Sequence, residues 1–334
     1  MSAATVPYQL RPNKHVDREL FIDALSRIRE VGGYRYASMG GKFMEDIVAT
    51  YLRLGINHLT SIDLDPNTVA RQQFNRPLSN IDIRQLSSGE FVRELVDGRL
   101  DDVNVTDLWA IWLDYTDPAN RLAQLTEVVD LLSVLEHGEV LKVTMNANPR
   151  TLAPRQRDYY PDDGAWRHEC EEGARTSLAD FFPQAMNDEN PSQKRGFARV
   201  VGGAIHNAAV RARSVDRSKR FALLQANRYT DLEHQMVSIA VLVLRAPNDA
   251  QTVGYPLDLV LDPALWLDPV EIALPDLSAR ERFAIDRMLF QSSVADIRQG
   301  LGFELGEREN ETLSALRQYE QHFRQYPNFT RVAR

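Results

Sequence analysis

Cysteine is almost missing from this 334-residue chain: Cys170 is the only one. No intrachain disulfide can form, and a reducing compartment is the simple expectation. Long apolar runs are missing as well. The longest, Met236–Leu244, is interrupted by Ser238 and is far too short to span a bilayer. Met1–Lys14 has no apolar stretch after basic residues, so it does not read as a signal peptide. These absences predict a cytoplasmic protein. An excess of positive charge is missing too: the formal net charge is −8, which excludes a protein that coats nucleic acid through its overall charge. There is no Walker A motif, no G-x-S-x-G and no nucleophile-centred triad motif. What is present is a globular composition, 43% hydrophobic and 26% charged, in a chain long enough for one large α/β domain with an appendage.

The hydrophobic pattern alternates between two periods. Residues 1–15 read as a polar arm, and helical spacing follows from Asp17 to Glu30. A strand over Tyr34–Met39 reaches the pair Gly40-Gly41, and an amphipathic helix carrying Phe43, Met44, Ile47, Val48, Tyr51 and Leu52 begins directly after it. Further strands are predicted over 56–65, 80–86, 107–115 and 138–149, the first three each followed by helical spacing, with Pro66 in the first turn of one helix. The 107–115 run is nearly all apolar, as a strand covered on both faces should be. Residues 150–193 are irregular and rich in Pro, Asp, Glu, Gly and Asn; a helix follows, and 220–245 reads as two strands around a polar turn. Alternating strands and helices imply a parallel, doubly wound sheet.

Five β-α units closed by a hairpin is the order of the class I S-adenosylmethionine methyltransferases, and the strings at the strand ends carry the resemblance. "YASMGG" stands at that superfamily's glycine-rich first motif, "SIDLD" at the acidic second, "RQLSSGEF" at the third and "WLDYTDP" at the fourth. Together with "FNRPLSNI", "VTMNANPRTL" and the tail "LSARERFAID … YPNF", they more narrowly resemble a bacterial family of O-methyltransferases of unknown substrate. The resemblance implies a Rossmann-like, doubly wound, seven-stranded sheet, mostly parallel with a terminal antiparallel hairpin, plus a small helical C-terminal appendage. The corresponding domains are an arm and helix at 1–29, a methyltransferase-like domain at 30–245 with an insertion at about 150–215, and the appendage at 246–334.

It also implies S-adenosylmethionine as cofactor and a set of site residues. Ser38, Met39, Gly40 and Gly41 form the cofactor loop, where glycines let backbone amides approach a ligand and a helix N-terminus favours its carboxylate. The superfamily has an acid in this first strand where Ala37 or Ser38 stands here. Asp63 would accept the ribose hydroxyls, with Leu64 as an apolar lid over the adenine; the same acid would also serve NAD. Asp65, before Pro66, reads as a helix cap. Ser87 or Ser88 meets the adenine edge or caps a helix. Asp114 orients or deprotonates the acceptor, or caps a turn, and Tyr115 forms a wall of the acceptor site or hydrogen-bonds the acceptor. Asn146 and Asn148 are best explained by a turn before Pro149.

Two further stretches stand out. Lys194–Arg220 is strongly basic and could hold an anionic ligand, nucleic acid included, although a solvated helix face balancing acidic neighbours explains it better. "RHECEE", at 167–172, has no zinc or calcium spacing and is expected to be an exposed acidic loop. The resulting expectation is a methyltransferase whose acceptor is unknown. The rival readings are a catalytically inactive binding module that keeps the fold, and an NAD(P)-dependent oxidoreductase.

Overall fold

The computed structural model describes residues 11–327, apart from 101–106, 187 and 247. Most of the expected polar arm and the end of the "YPNF" tail lie outside the described residues. The strands are β1 (Arg35–Ser38), β2 (His58–Asp63), β3 (Ile81–Gln85), β4 (Trp109–Tyr115), β5 (Val140–Asn146), β6 (Lys219–Asp231), β7 (His234–Arg245) and β8 (Val270–Ile272). They form one sheet in the order β3-β2-β1-β4-β5-β7-β6-β8. β7 runs antiparallel to β5 and β6, and the pairings of β1 to β5 are parallel. This is the expected doubly wound sheet with a terminal hairpin. It carries one strand more than expected: β8, from the segment taken for the appendage, pairs in parallel with β6.

The helices are α1 (Pro12–Leu25), α2 (Glu45–Leu54), α3 (Pro66–Asn75), α4 (Ser88–Val96), α5 (Arg121–Val134), α6 (Asp163–Leu178), α7 (Lys194–Val215), α8 (Ala279–Asp286), α9 (Val294–Leu301) and α10 (Glu309–His322). Strand parity decides which of them each residue meets, because successive side chains point to opposite faces. On β4, Trp109, Ile111, Leu113 and Tyr115 join a core with α4, α5, α6 and α7. Ala110 and Trp112 join the opposite core with α1 and α2. The near-continuous apolar run expected at 107–115 is this doubly covered strand.

Three expectations change. The first helix starts at Pro12 rather than Asp17, so its opening turns reach the carboxyl ends of the strands. The second starts at Glu45, not directly after the glycines: Gly41 has φ +55° and Met44 has φ +48°, so the intervening residues form turns. The 150–193 stretch is not irregular throughout: "RHECEE" is part of α6, where Cys170 is fully buried instead of lying in an exposed loop, while α7 is the helix expected after it, burying Val200, Val201, Ala204, Ile205 and Ala208 against the sheet.

Residues 250–266 also pack on the main sheet, with Ala250 and Tyr255 in one core and Trp266 in the other. A separate small core holds Ile285, Leu289, Ile297, Leu316, Tyr319 and Tyr326. Among the described residues, no helix is long and apolar enough to cross a membrane.

Candidate functional site

In an open α/β sheet, ligands bind beyond the carboxyl ends of the strands where the strand order reverses. Here that point lies between β1 and β4. A cleft of two lobes, about 450 and 380 Å³, occupies it, and Met39, Asp63, Asp114 and Thr116 line both.

The smaller lobe gathers Leu64, Ser87, Ser88 and Tyr115 beside those shared residues. Asp63 ends β2, and one of its oxygens accepts the amide of Asp65 at 2.9 Å. Burial pushes its pKa up, and the Asp65 amide opposes that. Leu64 is mostly exposed at the rim. Asp65 is the expected cap of α3, accepting from the amides of Asn67 and Thr68. Ser87 is a cap too: its hydroxyl and the Glu90 carboxylate form a reciprocal capping box at α4. Ser88, the first residue of that helix, remains on the lobe wall.

Tyr115, expected as a wall of the acceptor site, joins the core on the α5 side of β4. Parity turns it toward α5, where its phenol donates to Glu127 at 2.6 Å. Burial, with Glu127 beside it, raises its pKa well above the usual value. It therefore lines the smaller lobe, away from the larger one.

The larger lobe is lined by Gly40, Gly41, Lys42, Phe43, Glu45, Thr68, Asn146, His234 and Met236, together with Arg11, Lys14 and Asp231. Gly40 is required by close approach: a Cβ there would lie 2.7 Å from Ser61 Oγ and 2.9 Å from Ile47 Cδ1. Ser38 shares the sheet face of Tyr36, is buried, and lines neither lobe. Glu45, in the first turn of α2, lines the lobe and pairs with Arg18 at 2.9 Å. Glu45 and Asp46 both stand in that first turn, where acidic side chains interact favourably with the helix dipole. Asn146 and Asn148 make the expected turn, Asn146 accepting the Asn148 amide at 3.0 Å, while Asn146 also faces the lobe.

The residues that the sequence did not single out come from α1. Lys14 Nζ lies 2.5 Å from Asp114 Oδ2 and 3.9 Å from Asp231 Oδ2, and Arg11 grips Asp231 through two guanidinium nitrogens. Behind them the fully buried pair Lys142–Asp17 joins β5 to α1 at 2.7 Å, with Gln225 and Asn227 also donating to Asp17. Burial lowers the pKa of both lysines, and their aspartate partners pull it back only in part. Asp114 is thus no turn cap. Its parity turns it toward α1, and its Oδ1 is buried without a hydrogen bond.

Four of the eight basic residues from Lys194 to Arg220 are engaged within the protein. Arg195 pairs with Asp268, Arg199 with Glu189, and Arg211 stacks on Phe181. Lys219 donates to the carbonyls of Ser133 and Leu135 at the end of α5. These contacts are those of a helix face balanced by its neighbours.

The sequence matches, over residues 6–334, a family described as "Putative O-methyltransferase". The chain belongs to this methyltransferase family. No curated protein matches it. Among solved structures it is similar to Trm1 from Pyrococcus horikoshii in complex with S-adenosyl-L-methionine, with 11% identity, a TM-score of 0.43, and coverage of 92% of this chain and 76% of that one. It is also similar to geranyl diphosphate C-methyltransferase from Streptomyces coelicolor A3(2), with 11% identity, a TM-score of 0.31, and coverage of 69% and 76%. A LepI complex with SAM aligns at 11% identity and a TM-score of 0.34 over 67% of this chain, which spans less than half, 46%, of LepI. Likenesses this loose assign no residue.

Proposed function

We propose that this methyltransferase takes its methyl group from S-adenosylmethionine and passes it to a hydroxyl oxygen of a small acceptor. The observation that carries the reading is the two-lobed cleft at the switch point, with Asp63 and Asp114 on the wall common to both lobes. In the smaller lobe Asp63 would accept the ribose hydroxyls, Leu64 would cover the adenine, and Ser88 would meet its edge. In the larger lobe Met39, Gly40 and Gly41 would hold the amino-acid end, with Glu45 as the acid nearest its ammonium. Bound there, S-adenosylmethionine supplies an electrophilic methyl carbon on a sulfonium. The protein holds the acceptor in line with that carbon, and such positioning contributes most of the rate. Asp114, on the shared wall, fixes the acceptor end.

Thermal unfolding with S-adenosylmethionine, S-adenosylhomocysteine, NAD and NADP tests the reading. A specific ligand at a hundredfold excess over its Kd stabilises by about 2.7 kcal/mol. Stabilisation by the two adenosyl-sulfur compounds is expected. Stabilisation by a nicotinamide dinucleotide alone would overturn it in favour of an oxidoreductase. Binding of S-adenosylmethionine without turnover across acceptors would favour an inactive module.

A further inference from the structure

We propose that Lys14, on the N-terminal helix, is the proton acceptor of the methyl transfer and that Asp114 is the residue that orients it. The inference rests on the methyl-transfer reading above. It starts from the ion pair itself. Lys14 lines the larger lobe, and its Nζ is held 2.5 Å from Asp114 Oδ2. Forming the O–CH3 bond breaks the S–CH3 bond, leaves the sulfur a neutral thioether, and releases the acceptor's hydroxyl proton. That proton needs a base in the acceptor lobe. Asp114 already has one oxygen committed to Lys14, whereas an amine beside a fixed carboxylate has the arrangement of a base with its orienting acid. As the amine takes the proton, Asp114 stabilises the ammonium that forms. The acceptor oxygen loses its proton to Nζ while it attacks the methyl carbon, so charge and atoms balance with no other reactant.

The surroundings favour a lysine that can exist as free amine. Only 2% of the side chain is exposed. Among the described residues, the charged groups facing it are Arg11 just before its helix, Asp17 on the helix, Asp114 on β4, Lys142 on β5 and Asp231 on β6, and His234 of β7, Glu45 and Asp63 line the same lobe. Arg11 pairs with Asp231 and Lys142 with Asp17, while Asp114 holds Lys14 Nζ at hydrogen-bond distance. Desolvation is the largest influence and lowers its pKa, with Arg11 acting in the same sense.

Two measurements decide the matter. Trace acetylation with acetic anhydride across a pH series, read at each lysine by mass spectrometry, gives the pH midpoint of Lys14 whether or not a cofactor binds. The expected midpoint lies below the ordinary lysine value of about 10.4, and Asp114→Asn moves it lower still by removing the group that raises it. A wild-type midpoint at or above the ordinary value, or one unmoved in Asp114→Asn, would overturn the proposal.

The second measurement is turnover of S-adenosylmethionine with a panel of phenols, catechols and sugar alcohols. The rate should rise with pH up to the Lys14 midpoint. Lys14→Arg keeps the charge and the pairing but cannot take a proton, so its rate should fall about 100-fold while S-adenosylhomocysteine still binds. Lys14→Arg turning over as wild type would assign Lys14 to positioning alone and end the proposal. If wild type binds neither adenosyl-sulfur compound, the cofactor reading fails and the role of Lys14 falls with it, whereas binding with an unshifted labelling midpoint overturns the role of Lys14 alone.

Discussion

Lys14 and Asp114 stand 100 residues apart in sequence and meet with Nζ 2.5 Å from Oδ2, the two side chains 2% and 9% exposed. One comes from a helix at the start of the chain and the other from the end of the central strand. A buried pair of this kind is costly to break from one side, because the remaining charge is left without a partner. Lys14→Met is therefore expected to destabilise the fold by about 3–5 kcal/mol, with much of the loss recovered in a Lys14→Met, Asp114→Leu double variant. Guanidinium unfolding of the single and double variants measures this. A single variant as stable as wild type would show that the pair does not persist in solution.

Asp63 carries the adenosine reading. Asp63→Ala should abolish the thermal stabilisation by S-adenosylhomocysteine while leaving the stability of the ligand-free protein within about 0.5 kcal/mol, since its carboxylate accepts only a turn amide from Asp65 at 2.9 Å. Retained stabilisation in that variant would move the ribose elsewhere.

Ser87 tests the separation of capping from binding. Removing its hydroxyl breaks the box with Glu90 at the start of α4, so Ser87→Ala should cost about 1 kcal/mol in unfolding. Affinity for S-adenosylhomocysteine, measured by calorimetry, should change less than threefold, an effect of about 0.6 kcal/mol at most. A much larger loss of affinity would return Ser87 to the cofactor contacts.

Gly40 is the residue of the loop for which space is decisive. A methyl group there meets Ser61 Oγ at 2.7 Å, Ile47 Cδ1 at 2.9 Å and Met44 Cγ at 3.1 Å, while one on Gly33 meets nothing within 4 Å. Gly40→Ala should cost about 1–3 kcal/mol and weaken cofactor binding, and Gly33→Ala serves as the control. Equal stability of the two variants would contradict this packing.

His322 provides a pH dependence. Neither ring nitrogen has a hydrogen-bond partner, and burial lowers its pKa to about 4. The unfolded chain then binds the proton more readily, so this contribution is complete above about pH 6.5 and is lost as the pH falls toward 4. His15, also lowered to about 4, acts in the same direction. His322→Leu should remove part of the stability loss between pH 7 and pH 5, on the order of 1–2 kcal/mol after solvent screening. Parallel pH profiles for the two proteins would exclude the effect.

Much of this was legible in the chain. The alternation of period 2 and period 3.6 placed the strands and most helices, because burying one face leaves a periodic trace. The acid before Pro66 announced a cap, and the Asn-rich end of the fifth strand a turn, because both are local hydrogen bonds. Asp63 and Gly40-Gly41 could be placed at strand ends by spacing alone.

The remainder depended on contacts between distant segments. One residue of strand parity sends Asp114 toward α1 and Tyr115 toward α5, and an almost wholly apolar strand gives no sequence sign of which face is which. The start of α1 is polar, so its spacing hid that the helix begins at Pro12 and brings Arg11 and Lys14 to the cleft. β8 is three residues long and has no periodicity to read. The sequence by itself determined seven of the eight strands and the acid at the end of the second, since each follows from local pattern. The tertiary structure alone decided which charges meet at the cleft, because an ion pair between residues 14 and 114 exists only once α1 is packed on the face that β4 presents.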